Sequence, residues 1–511
     1  MKFLNTNQLR EWDEFTILNE PISSIKLVER ASQNAINFIK ETCNVSQNIL
    51  VVCGNGNNGA DGLCIAYLLA EDHYNIRVLL ANPSKPYTDE ASFYLEQFNS
   101  KFSGLIIAEE TFENSNTYFE VLIDCILGVG LKLPLKAPLC ELINKLNQAN
   151  FETVISIDVP SGFPSEIDLK EWHLVQDNFI KANHTLTFQQ LKPSFLFPES
   201  ESATGVVKLI DIGLDKAFLS NVESQRFVIT LQSVNTLLPK RTKFCHKGTF
   251  GHALLIAGQK GMCGAASLSA KAIVKSGSGK TSVLAAESCY QVLQTLVPEA
   301  MVLVNSGVDF LRNEPIDIRD YSAVGIGPGV GTNESTLALL LEIIAQCSRY
   351  NIPLAIDADA LNMIGEFGVN NISFPQQCVL TPHPKEFDNL FKVQCKNSIQ
   401  RAEFAKQFSQ EYGISIVLKD SISILYNPNH KEYILLDSSP SLAKGGSGDI
   451  LLGIITSQLA QGLKVSDAAI VALYIHAQSG IWCAQNRGVA STTAIDILEG
   501  INQFYLQTEL H

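Results

Sequence analysis

Short β-branched runs alternate with helical stretches twice over along this chain, a rhythm that belongs to parallel sheets flanked by helices. The first series of strand candidates is Ile49 to Cys53, Ile76 to Leu80, Val121 to Ile123 and Val154 to Ile157. The second follows a polar, less patterned stretch: Ala253 to Ala257, Ser282 to Ala285, Ala323 to Ile326, Leu354 to Ile356, Val379 to Leu380 and Ile416 to Leu418. Two tandem α/β domains are therefore predicted. At about 150 residues per domain, 511 residues are too many for one core. The boundary is placed near 215 to 235, where Gly213-Leu-Asp-Lys216 leads into Asn221-Val-Glu-Ser-Gln-Arg226, giving domains 1–220 and 221–511.

Charge narrows the partners. Lys plus Arg number 38 and Asp plus Glu 52, a net −14 that argues against a broad grip on nucleic acid or an anionic membrane. Any phosphate must be held locally. The N-terminus carries no run fit for a signal peptide and no later segment reaches about 18 apolar residues, so a soluble cytoplasmic protein is expected. The 12 cysteines form no Cys-x-x-Cys, and Cys53, Cys125 and Cys378 sit in strand-like apolar runs as reduced, packed thiols. Neither a disulfide framework nor a zinc or histidine metal cage is expected.

In the first half, Ile49–Cys53 leads into Gly54-Asn-Gly-Asn-Asn-Gly-Ala-Asp-Gly62 and then a helical run, a strand–turn–helix that offers backbone N–H groups to an anion. Gly54, Gly56 and Gly59 spell GxGxxG, yet Leu79-Leu-Ala-Asn82 stands where a dinucleotide fold places its ribose-binding acid. An ordinary nicotinamide dehydrogenase is disfavoured; a plain tight turn remains an alternative. Two more strands end in Asp124 and Asp158, so all three loops should meet at one crevice beyond the strand ends. Each Asp alone would pass for a loop cap; together with the Asn-rich loop they suit a monovalent cation and an acid–base carboxylate.

The segments Asn57-Asn-Gly-Ala-Asp-Gly62, Asp124-Cys-Ile-Leu-Gly-Val-Gly-Leu131 and Ser156-Ile-Asp-Val-Pro-Ser-Gly162 resemble the NAD(P)H-hydrate epimerase domain, a Rossmann-like three-layer αβα sandwich. The resemblance implies a potassium ion at Asn58, Asp124 and Ser161. It also implies a substrate lining of Asn57, Asn58, Gly59, Ala60 and Asp61 with Gly128, Val129, Gly130, Leu131, Lys132, Leu133 and Pro134, and a contact of Asp158 with the nicotinamide end, where it transfers the proton. Ala60 stands where the family more often has Gly, which matters only if that position needs positive φ.

In the second half, Ala443-Lys-Gly-Gly-Ser-Gly-Asp449 opens an apolar helix that stops near Gly462. Amides of Gly446, Ser447 and Gly448 at the positive helix end suit the charge on a transferring phosphoryl group, and Asp449 suits a base for the attacking hydroxyl. A buried helix start with an N-terminal charge is the plain alternative. Gly277-Ser-Gly-Lys-Thr281 mimics a phosphate loop, but Val274 occupies the first glycine position and the segment ends a helix and starts a strand, the reverse of what is needed. His383, between two prolines, reads as a ligand contact or a rigid turn; of Asp357 and Asp359, one is expected to cap its helix.

The Gly-Gly-x-Gly-Asp turn resembles the anion hole and base of the ribokinase-like superfamily. With His246-Lys-Gly-Thr-Phe-Gly-His252, Ala257-Gly-Gln-Lys-Gly-Met-Cys-Gly-Ala-Ala266, Gly325-Ile-Gly-Pro-Gly-Val-Gly331, Asp357-Ala-Asp-Ala-Leu-Asn362, Thr381-Pro-His-Pro-Lys-Glu386 and Val417-Leu-Lys419, it resembles the nucleotide-dependent NAD(P)H-hydrate dehydratase, a ribokinase-like αβα domain. The resemblance implies hydrate contacts at Ala265, Gly329, His383 and Asp449. Adenine nucleotide then lies at Lys419, Asp420, Ser421, Ile422 and Ser423 and at Gly446, Ser447 and Gly448. Asp420 and Lys385 stand where the family usually has Gly, one placed to repel phosphate and one to attract it.

Both resemblances imply repair of hydrated NADH and NADPH (NADHX and NADPHX): an isomerase half that interconverts the R and S hydrates, and a lyase half that dehydrates the S form with ADP or ATP and magnesium. ADP is the preferred donor, and a homo-oligomer is expected. The rival is a ribokinase-like small-molecule kinase with a non-catalytic N-terminal binding module.

Overall fold

The computed structural model describes residues 1–114, 118–166, 172–175 and 178–509. It divides into two compact units, Phe3–Ser224 and Gln225–His511, the latter taking in Met1–Lys2.

The first unit holds β1 (Ile49–Cys53), β2 (Ile76–Leu80), β3 (Ile106–Ile107), β4 (Val121–Cys125), β5 (Thr153–Ile157), β6 (His184–Phe188) and β7 (Val206–Ile210). They form one parallel sheet in the order β3-β2-β1-β4-β5-β6-β7, with Ile49 opposite both Ile76 and Val121. Every residue of β1 is buried because both faces are covered, which is why it reads as an unbroken apolar run. Val51 and Cys53 pack with the helices Ser24–Thr42 and Asn57–Glu71; Leu50 and Val52 pack on the other face with Ala137–Gln148. Each fully buried Val or Leu contributes about 1.5–3 kcal/mol. Strand order reverses between β1 and β4, and ligand crevices in such sheets lie at that point.

The second unit holds β8 (Arg226–Val228), β9 (His252–Ile256), β10 (Lys280–Ala286), β11 (Met301–Asn305), β12 (Ala323–Ile326), β13 (Leu354–Ile356), β14 (Cys378–Leu380), β15 (Ser415–Leu418), β16 (Ser423–Tyr426) and β17 (Glu432–Leu435). Their order is β11-β10-β9-β12-β13-β14-β15-β16-β17-β8. The helices Cys263–Lys275, Ser447–Ala460, Val465–Arg487 and Ala494–Glu509 bury one face of this sheet against Ala253, Leu255 and Ala257.

The sheet is not wholly parallel as the rhythm predicts. β16 runs antiparallel to both β15 and β17, because only the short segment 419–422 joins β15 to β16 and a crossover needs a dozen residues or more. The cysteines also depart from expectation at one place: Cys263, opening a helix, and Cys289, after β10, form a disulfide. They lie 26 residues apart in sequence, so no spacing motif announces the pair. Cys53, Cys125 and Cys378 are free and buried as predicted. No helix among the described residues is long and apolar enough to cross a membrane.

Candidate functional sites

In the first unit, β1 turns sharply at Gly54, where a Cβ would lie 1.9 Å from the carbonyl O of Ile126. Gly56 then caps the helix Asn57–Glu71. Beyond the strand ends lies a cavity of about 700 Å³ lined by Asn57, Asn58 and Asp61, by Gly128, Val129 and Gly130, and by Asp158. The three predicted loops therefore share one crevice. Gly59 and Ala60 do not line it, because Gly59 presses on the carbonyl of Gly54 and Ala60 is wholly buried in the core. Ala60 lies within the helix with no positive φ, so its methyl causes no strain. Leu131, Lys132, Leu133 and Pro134 are also outside the lining: Leu133 is drawn to the apolar cluster of Phe163 and Phe179.

Asp124, at the end of β4, is fully buried. Its Oδ2 accepts from Ser156 Oγ and Ser161 N, both at 2.8 Å, and its Oδ1 accepts from Ser161 Oγ at 2.5 Å. Burial pushes its pKa above the ordinary carboxylate range, and these donors pull it back. Asn58 Nδ2 donates to the Ile157 carbonyl at 2.7 Å, while its buried Oδ1 has no partner. A buried amide oxygen left unsatisfied in oxygen-rich surroundings fits a cation, so Asn58, Asp124 and Ser161 are chemically suited to potassium.

Asp158 follows β5 in the left-handed region, φ 66°, which aims its carboxylate back at the end of β6. Its Oδ1 accepts from Phe188 N at 3.1 Å and pairs with Lys192 Nζ at 2.7 Å. Lys192 is only 3% exposed and also donates to the carbonyl of Phe188 at 3.1 Å. Asp61 is buried nearby, and its pKa is driven well above the carboxylate range by burial, then by Asp158 and Asp13.

In the second unit, strand order reverses between β9 and β12; Gly329, His383 and Lys419 follow the carboxyl ends of β12, β14 and β15, Ala265 follows β9, and Gly446 to Asp449 follow β17. Gly329 takes φ 60° beside the helix Cys263–Lys275, where a Cβ would come within 3.4 Å of the Ala265 Cβ. His383 caps the helix Pro384–Phe391: its Nδ1 accepts from Glu386 N, and Glu386 Oε2 accepts from His383 N. The rigid turn and a half-exposed ring thus coexist at one residue. Neither Asp357 nor Asp359 supplies the helix cap that the sequence predicts, since Ala358 stands at that position without a side-chain bond. Asp359 instead accepts from Gly331 N at 2.8 Å, and Asp357 pairs with Lys419 Nζ at 2.8 Å.

Asp449 sits in the first turn of the helix Ser447–Ala460. Burial, then Asp357, pushes its pKa up to about 6, with Lys419 opposing. Gly446 caps this helix at φ 90°, where a Cβ would meet Leu268 Cδ1 at 2.6 Å, so the turn requires glycine. Of the three predicted amides, that of Ser447 has a partner within the turn. Ser447 N donates to the Lys444 carbonyl at 3.2 Å, and the buried Ser447 Oγ lies 2.9 Å from His476 Nε2. Asp420 is held locally, its Oδ2 accepting from Ser398 Oγ at 3.1 Å and its Oδ1 from Ser421 N at 2.8 Å. Lys385 is exposed on the first turn of its helix. The 276–280 segment leaves a helix and enters β10, as the rejection of a phosphate loop there requires.

Residues 24–194 match the family described as YjeF-related protein N-terminus, and residues 253–503 match NAD(P)H-hydrate dehydratase. The bifunctional NAD(P)H-hydrate repair enzyme Nnr of Coxiella burnetii is 30% identical over 492 residues, covering 96% of each chain. The chain belongs to the bifunctional NAD(P)H-hydrate repair enzymes. The Escherichia coli relative of the same name is 28% identical over 479 residues, covering 94% of this chain and 89% of its own. A crystal structure of ADP/ATP-dependent NAD(P)H-hydrate dehydratase from Bacillus subtilis, co-crystallized with ATP/Mg2+, is 27% identical with a TM-score of 0.48, covering 55% of this chain and 98% of that one. Both halves of the repair enzyme are thus represented, and the rival of a lone kinase with a binding module gives way.

Four residues at the candidate sites are not singled out by the sequence. Asp13 and Lys192 line the first cavity, Glu386 lies 3.9 Å from Lys419, and His476 holds Ser447. Glu386 stands inside a quoted motif and so was within reach. Asp13, Lys192 and His476 carry no local signal: each arrives from an element distant in sequence.

Proposed function

We propose that the two halves divide the repair by residue as follows. In the first unit Asp158 moves the proton during interconversion of the R and S hydrates, with Lys192 holding its carboxylate and Asn58, Asp124 and Ser161 holding potassium. When bound, potassium would supply a fixed positive charge that orients the substrate. The orphaned Asn58 Oδ1 is the observation that supports this site.

In the second unit Asp449 accepts the proton of the ring hydroxyl as that oxygen attacks the terminal phosphorus of ADP. The bond to the leaving phosphate oxygen breaks, AMP departs, and the amides of Gly446 and Gly448 hold the charge. Phosphate then leaves the ring as the nitrogen lone pair moves in, and loss of the neighbouring proton restores the reduced nicotinamide. Magnesium on the nucleotide would neutralise phosphate charge, for which the carboxylates of Asp357 and Asp359 are donors of suitable chemistry. The observation that carries this reading is Asp449 on the first turn of a glycine-capped helix, its pKa raised to about 6 beside Asp357 and Lys419.

The test is recovery of near-ultraviolet absorbance from hydrated NADH with potassium, magnesium and ADP, or ATP in its place. Both epimers should be repaired. Asp449→Asn should abolish recovery, and Asp158→Ala should leave only the directly used epimer reacting quickly. Equal recovery of both epimers by Asp158→Ala, above the spontaneous rate, contradicts the division of labour. Self-association belongs to the same proposal and is read by light scattering.

A further inference from the structure

The helix Thr6–Asn19 forms one wall of the first cavity and presents Asp13 to it, while Asp158 enters from the end of the sheet. Among the described residues no donor reaches the Asp13 carboxylate. We propose that Asp13 is the second acid–base residue of the epimerase site, the carboxylic acid that protonates the departing ring hydroxyl, while Asp158 receives a proton from the water that adds on the other ring face. This rests on the epimerase reading above.

In this proposal the hydrated carbon inverts through its bond to oxygen, which breaks and reforms. The ring nitrogen's lone pair forms a C=N bond as the C–O bond breaks, and the oxygen leaves as water with the proton of Asp13. Water then adds from the opposite face, its proton passes to Asp158, and the C=N pair returns to nitrogen. The proton on Asp158 passes back to Asp13, so nothing is consumed and the reverse reaction uses the same steps reversed. One carboxyl serves one face; two from separate walls serve both.

The surroundings separate the two carboxyls. Burial, with Asp158 next, pushes the pKa of Asp13 up to about 7, and Lys192 opposes this. Asp158 instead holds the buried ammonium of Lys192 at 2.7 Å. Asp13 thus faces the cavity without a paired cation, and Asp158 faces it with one. On its own helix Asp13 is flanked by Arg10 and Glu14, and Arg10 donates to the Val129 carbonyl at 2.9 Å. From other elements Asp61, Asp158 and Lys192 face the cavity, with Lys85 and Glu90 from the segment after β2. The unsatisfied Asn58 Oδ1 in the same lining marks this as a place built for a ligand.

The test compares Asp13→Asn, Asp13→Glu and Asp158→Asn in the full chain, following R-to-S conversion of hydrated NADH, with dehydration of the directly used epimer as internal control. Asp13→Asn should slow conversion at least 100-fold with the control rate and the urea midpoint retained. Asp13→Glu should restore part of the rate, and the wild-type fall in rate above pH 7 should be missing from the residual activity of Asp13→Asn. Conversion by Asp13→Asn within twofold of wild type, or an unchanged fall above pH 7, overturns the proposal. If Asp158→Asn is also unimpaired, the epimerase reading itself fails; if Asp158→Asn is inactive and Asp13→Asn is not, only this inference fails. Loss of the urea midpoint and of conversion together in both Asp13 variants would make Asp13 structural and also overturn it.

Discussion

Lys192 Nζ lies 2.7 Å from Asp158 Oδ1, and the lysine is 3% exposed, so the two charges depend on each other for burial. Asp158→Ala strands an ammonium in the interior, which costs about 3–5 kcal/mol. We expect Asp158→Ala to lower stability by about that amount, and Asp158→Ala with Lys192→Met to regain at least half. Both should lose epimerase activity. Urea unfolding of the single and double variants measures the pair; a double variant no more stable than the single would show that the coupling is absent.

Asp449 works as a base only when ionised, and its pKa is raised to about 6. The nucleotide-dependent rate should therefore fall about tenfold per pH unit below 6 and level off above it. Stability runs the other way. A folded pKa above the unfolded value contributes stability that is present at acid pH and is lost as pH rises through about 6. Asp449→Asn, inactive, should accordingly melt above wild type at pH 8, with the gap closing towards pH 4. Equal melting temperatures at pH 8 would argue against the buried carboxylate.

The unsatisfied oxygen of Asn58 makes potassium a stabilising ligand in our reading. Replacing sodium chloride by potassium chloride should raise the melting temperature of the wild type. In Asn58→Ala the potassium needed for half of that rise should increase at least tenfold. A rise of equal size and concentration dependence in the variant would remove Asn58 from the ion's ligands.

The glycine-rich segment before β10 spells a phosphate loop but is packed as structure: a Cβ on Gly279 would lie 1.7 Å from the Lys247 carbonyl O. Lys280→Ala should change the dependence on ADP by less than twofold. A loss of nucleotide affinity beyond tenfold would reinstate that segment as a binding element.

Where a strand lies wholly inside its sheet the sequence declares it, and β1, β2, β12 and β13 have the bounds that their apolar runs predict. β7 does not declare itself, because at the sheet edge Val206 is 65% and Leu209 50% exposed. The glycine and aspartate loops were equally legible, since chemistry that requires a close turn leaves little choice of residue. Their outer limits were not. Leu133 follows an apolar cluster rather than the cavity, and Ala60 faces the core although Asn58 and Asp61 line the cavity, because a helix turns each successive side chain by about 100°. Lys192 and Asp13 were silent because burial and partnership are set by the whole unit, not by nearby residues.

His476 lies on the helix Val465–Arg487, deep among aliphatic side chains, and there its ring touches Ser447 of the glycine-rich turn. Burial lowers its pKa to about 4, so ordinary changes of acidity leave the ring neutral and the tether intact. The turn is thus moored from beneath, and its shape is inherited from the packing of the interior. Slackness introduced far below the surface would first show as sluggish turnover by a chain that still looks native.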